Sequence, residues 1–184
     1  MKNGLKTIVL ALAAISFVAA RSVAADAPAL AAKGDKLYTQ FSLFYEKGIH
    51  RTTNYRIGTF VPINTEVTFV KAKGDEIEVT LPDGTDLKVV NIEKYSGEKL
   101  PGIFNRTFAK TKVDLSKFTK KEKSAIEAGE VEVGMSKDAV IASLGYPPKH
   151  QTPTLKGNQW RYWRNVFANF LVHFEDDKVT SVDH

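Results

Sequence analysis

Five aromatic residues and two arginines crowd one short stretch: Trp160, Arg161, Tyr162, Trp163, Arg164, Phe167 and Phe170. Trp and Arg are the side chains that most often dominate binding energy at protein interfaces, so recognition is the chemistry they offer. Successive side chains of a strand point to opposite faces. Trp160 and Tyr162 then face one way, Arg161 and Trp163 the other, with Arg164 beside them. One face must cover a core. This leaves Arg161, Trp163 and Arg164 as candidate partner-binding residues, unless the rest of the chain covers Trp163. Lys149 and His150 form a second candidate, in the loop Pro147-Pro148-Lys149-His150-Gln151-Thr152-Pro153. Its three prolines reduce the entropy lost on ordering, which suits recognition and suits a rigid connector equally well.

Catalytic constellations lack their residues. The chain has no Cys nucleophile, no H-E-x-x-H, no G-x-S-x-G and no Gly-rich phosphate loop. His50, His150, His173 and His184 are not at metal-ligand spacing, and His173 alternates with apolar residues as a structural strand histidine does. Glu175-Asp176-Asp177 lacks the alternating ligands of a calcium loop and reads as a hairpin turn. A non-enzyme with no cofactor and no metal is expected. A hydrolase with an unrecognised site is the least favoured class.

Two helices and three strands must position the aromatic stretch. Thr119-Lys120-Lys121-Glu122 is a capping box opening a helix that Gly129 stops. Ser136 can cap a second helix, with Asp138 at its positive dipole end and Val140, Ile141 and Leu144 as its apolar stripe. Gly145 can close it in the left-handed conformation, and Pro147 blocks continuation. Strands are predicted at 159–163, 170–174 and 178–182. This GMS–KD–LG–P pattern followed by an aromatic meander resembles the BamE (SmpA/OmlA) family of envelope proteins. The resemblance covers about residues 117–184 and implies a helix–helix–three-stranded sheet, a fold it shares with the repeats of secreted β-lactamase inhibitor proteins.

Upstream, residues 36–95 alternate apolar and polar side chains between turn signals. Strands are predicted at 37–41, 66–71, 76–81 and 86–90, with Gly74 and Pro82-Asp83-Gly84 in the connections. The segment Thr59-Phe60-Val61-Pro62-Ile63-Asn64-Thr65-Glu66-Val67 resembles the proline turn and central strand of a bacterial Src-homology-type small barrel. Asn64 stands where such motifs often carry glycine, and asparagine tolerates positive φ better than most residues. Residues 96–116 are expected to connect the two units, with Phe104 and Phe108 spaced as on a short helix. The fold class expected is therefore α+β: a small barrel and a BamE-like domain, packed with limited interchange.

The first 25 residues have the make-up of a secretory signal. Lys2 and Lys6 precede an apolar run from Ile8 to Ala20, and small residues allow cleavage near Ala25. The run of 13 residues is short of the roughly 20 that span a bilayer. Residues 26–35 read as a flexible lead. Processing removes three cations and no acid, leaving 23 Lys+Arg against 21 Asp+Glu, a balance of +2 on 159 residues. That balance, with Lys120, Lys121 and Lys123 on a solvated helix face, argues against nucleic acid as a partner. Without cysteine there is neither a disulfide nor an acylation site, a departure from the lipid-anchored BamE pattern that makes any outer-membrane association indirect. The resemblance implies a periplasmic interaction module in envelope assembly or maintenance, with an envelope protein or cell-wall component as partner. The alternative is a secreted inhibitor-like or cell-wall-ligand-binding protein.

Overall fold

Period-two alternation builds the first half of the chain in the computed structural model, which describes residues 30–184. The expected signal, residues 1–25, and residues 26–29 of the expected lead lie outside the described residues. Four short strands come first: β1 (Lys36–Thr39), β2 (Leu43–Tyr45), β3 (Ile49–Arg51) and β4 (Thr59–Val61). β5 (Glu66–Lys73), β6 (Glu76–Thr80) and β7 (Asp86–Val90) then form two antiparallel hairpins. Val67, Phe69, Ile77, Val79, Leu87 and Val89 are their buried positions. The hairpin glycines Gly74 and Gly84 take φ of +59° and +85°.

The helices α1 (Glu93–Ser96) and α2 (Leu100–Thr107) follow, then β8 (Phe108–Ala109). The six strands of one curled sheet run β3-β7-β6-β5-β1-β8, while β2 and β4 pair separately. Residues 96–116 are thus more than a connection. α2 packs Ile103 and Phe104 into the first core, and β8 extends the sheet beside β1 with Phe108 buried. The expected i, i+4 helical pair is also modified. The helix ends at Thr107, Phe108 is extended at φ −133°, and the two rings meet at 6.1 Å.

In the second half, α3 (Lys120–Ala128) and α4 (Lys137–Leu144) pack on the antiparallel sheet β9 (Gln159–Trp163), β10 (Asn169–Glu175) and β11 (Lys178–Asp183), in the order β11-β10-β9. Both caps take the expected form: Thr119 and Glu122 exchange hydrogen bonds as a capping box, and Ser136 Oγ accepts from the Ala139 amide. Trp160, Tyr162, Phe170, Val172 and Phe174 fill the core against Ile126, Val140 and Leu144. Asp176 and Asp177, at φ +48° and +59°, make the tight β10–β11 turn. Gly145 departs from expectation: its φ of +74° goes with ψ −168°, so the helix ends in an extended left-handed glycine conformation rather than an αL cap.

The two units interlock more closely than limited interchange implies. Ile63, from the β4–β5 turn, belongs to the second core, and Tyr146 packs on the first. The Ser42 amide donates to Ala142 O at 3.0 Å. Asn64, at φ +63°, clamps Val113 through both amide atoms, at 3.0 and 2.7 Å. Asparagine at this turn therefore makes two bonds that glycine could not. A Cβ on Gly145 would lie 2.6 Å from the Phe41 ring and 3.1 Å from Asn54 Nδ2, so the junction demands glycine for approach as well as conformation.

Candidate functional site

The site lies on the seam between the units. After β3 the chain turns through Asn54, at φ +54°. Asn54 Nδ2 donates to Leu144 O at 2.6 Å and to Tyr146 O at 3.1 Å, fastening this turn to the end of α4. Tyr55 then forms a parallel bridge with Trp163, and the Arg56 amide donates to Trp163 O at 3.2 Å. The first unit thereby covers part of the outer edge of β9. A strand-like pairing carries side chains to alternate sides. Tyr55 and Trp163 accordingly line one cleft, and Arg56 and Arg164 line another on the reverse side.

The aromatic cleft has a volume of about 240 Å³. Thr53 and Tyr55 come from the turn after β3, Tyr95 from α1, Pro148 and His150 from the proline loop, and Trp163 and Val166 from the end of β9 and its turn. The His150 and Tyr95 rings meet at 4.6 Å, and the Lys94 ammonium sits 4.7 Å from the Tyr95 centroid. Partial burial holds the His150 imidazole below its ordinary pKa, favouring the neutral ring. Among the described residues the Trp163 indole nitrogen and the Thr53 hydroxyl are buried without a partner, as are Arg56 Nη1 and the indole nitrogen of the core residue Trp160. Such groups cost free energy until they are hydrogen-bonded, and most buried polar groups in folded proteins are. The aromatic walls can clasp a flat or apolar group.

Trp163 and His150, far apart in sequence, are brought together here, and Trp163 is half-buried rather than freely exposed. Arg161 keeps the Trp163 face: its guanidinium donates to Asn169 Oδ1, and its amide donates to Thr152 Oγ1 at 2.9 Å. Lys149 stands beside the cleft without lining it. Its amide donates to Tyr95 O at 2.8 Å, and its side chain runs over Gly97. Arg164 is a correction. Alternation puts it on the Tyr162 side, where it lies 5.6 Å from the Phe170 centroid and bonds His184 Nδ1 at 2.7 Å. Thr53, Tyr55, Tyr95 and Val166 had no signal in the sequence, because their shared position depends on how the two units dock.

Among the described residues no group of three or more His, Cys, Asp or Glu converges as a metal site. No helix among them is long and apolar enough to cross a membrane. No family model, curated protein or solved structure matches the chain.

Proposed function

We propose that this chain is a non-catalytic interaction module of the bacterial cell envelope, working in the periplasm, and that it binds an envelope protein or a cell-wall component through the aromatic cleft. The observation that carries the reading is the convergence of Tyr55, Tyr95, His150 and Trp163, drawn from distant parts of the chain, on one cleft. On this reading the curled sheet is a Src-homology-type small barrel, and α3, α4 and β9–β11 are a BamE-like domain. The signal-like first 25 residues and the helix–helix–meander order support the compartment and the kinship. Pockets for drug-sized ligands are roughly 300–1,000 Å³, so the cleft suits a single ring or one anchoring side chain of a larger partner.

Photocrosslinking in cells tests it. One photoreactive side chain replaces Val166, on the exposed rim of the cleft, and a control replaces Lys110, beside β8 at the opposite edge of the six-stranded sheet. Adducts specific to Val166, or binding to isolated sacculi, should disappear with Tyr95→Ala. Identical adducts from both positions, together with sacculus binding that ignores Tyr95→Ala, would overturn the reading.

A further inference from the structure

The reverse side of the seam carries a second cleft, of about 400 Å³, which the proposed function does not use. Its ionisable side chains are Arg56, Arg164, His184 and Glu130. Neither arginine is in an ion pair among the described residues. Arg56 is mostly buried. Its Nη2 donates to Gly129 O, capping the carboxyl end of α3, and its cation lies 4.8 Å from the Phe44 centroid. The other terminal nitrogen, Nη1, is buried with no partner among the described residues. Helix capping thus accounts for half of the guanidinium and leaves the other half without a purpose.

Arg164 is explained still less. It is exposed, its side chain bonds only the imidazole of His184 among the described residues, and it repels the mostly buried Arg56. Burial brings the Arg56 pKa down to about 10, which still leaves it charged at neutral pH. Two cationic side chains face this cleft against a single acidic one, and guanidinium groups match carboxylates in charge and in planar geometry. The remaining walls are apolar, with Phe44 and Phe170 on opposite units. Phe170 is buried, whereas Phe44 is half-buried, and a bare inorganic anion would leave the open part of the Phe44 ring wet.

We propose that this cleft binds the carboxylate of a ligand with an apolar body. Arg164 meets the carboxylate from the surface, Arg56 supplies the mostly buried counter-charge, and the half-buried Phe44 holds the apolar part. A peptide ending in an apolar residue and a fatty acid share this chemistry.

Calorimetric titration of the full chain with four probes separates the possibilities: N-acetylphenylalanine, its carboxamide, octanoate and inorganic phosphate. At least one of the two carboxylates should bind with a Kd near or below about 1 mM, perturbing the His184 ring signals by NMR. The carboxamide should bind at least tenfold more weakly. Arg164→Gln should weaken the carboxylate at least tenfold with an unchanged melting temperature. Glu130→Gln, which removes the like charge, should tighten it. Preference for N-acetylphenylalanine assigns a peptide terminus, and preference for octanoate a fatty acid. The proposal fails if neither carboxylate binds, if the carboxamide or phosphate binds as well as they do, or if Arg164→Gln has no effect.

Discussion

Glu122 joins three elements through one buried carboxylate. Its Oε2 accepts from the Thr119 amide and hydroxyl, each at 3.0 Å, closing the capping box of α3. Oε1 accepts from the Ser136 amide and hydroxyl, each at 2.8 Å, at the start of α4, and lies 3.5 Å from Lys178 Nζ on β11. Burial alone would raise its pKa. The bonds from Ser136 and Thr119 outweigh burial and bring it down to about 2 from 4.5. A pKa shifted by one corresponds to roughly 1.4 kcal/mol, so the ionised form stabilises the fold by about 3 kcal/mol relative to the protonated one. Because the folded-state value lies below the unfolded one, that stability is complete above pH 4.5 and is lost as pH falls toward 2. Glu122→Gln keeps the shape, removes the charge and turns one acceptor into a donor that faces donors. It should lower the unfolding free energy by about 3 kcal/mol at pH 7 and flatten the acid limb below pH 4.5. Urea melts of both proteins from pH 7 to pH 2.5 measure this. A loss under about 1 kcal/mol at pH 7, or parallel acid limbs, would refute the reasoning.

His50 is buried, bonded through Nδ1 to Phe44 O at 2.8 Å. Burial, aided by the Arg106 charge, draws its pKa from 6.5 down to about 4. The unfolded chain takes up that proton first, so stability should fall by about 3 kcal/mol between pH 6.5 and 4, and His50→Gln should remove most of this slope in the same melts. Trp160→Ala should cost roughly 3–5 kcal/mol, as core aromatic truncations do. Trp163→Ala, at a half-buried position, should cost about half as much while abolishing cleft-dependent binding, and equal costs would mean that Trp163 belongs to the core. Asn54→Ala leaves Leu144 O and Tyr146 O without their donor and should destabilise the chain by about 2 kcal/mol, with protease cleavage near residue 145 appearing before global unfolding. Unchanged cleavage kinetics would show that the seam is held elsewhere.

Much of the local structure was legible because its causes are local. A Thr and a Glu three residues apart satisfy each other's backbone donors wherever the chain goes, and Ser136 caps α4 on the same terms. Alternation marked β5, β6, β7, β9 and β10, and it chose Trp160 and Tyr162 for the core. The same rule, carried one residue past β9, would have set Arg164 with Tyr162 instead of with Trp163. Tertiary structure supplied what no spacing encodes. The parallel pairing of β3 with β7 joins strands with more than thirty residues between them. Glu122 reaches Ser136, fourteen residues away, only after α3 and α4 have packed.

The candidate site divides in the same way. From the sequence alone, Trp163 and His150 stood out by residue type, since aromatic rings and a proline-framed loop carry their meaning in a few neighbours. Tyr55, Tyr95 and Thr53 acquire theirs only where the turn after β3 docks on the edge of β9. That docking depends on Asn54 reaching two carbonyls about ninety residues away and on Gly145 yielding space to the Phe41 ring. Helix caps and strand faces are set by hydrogen bonds and side-chain directions within a few residues, so a single sequence determines them. A cleft between two units is set by the free energy of their contact, a sum over residues far apart in the chain, and it exists only once the chain has folded.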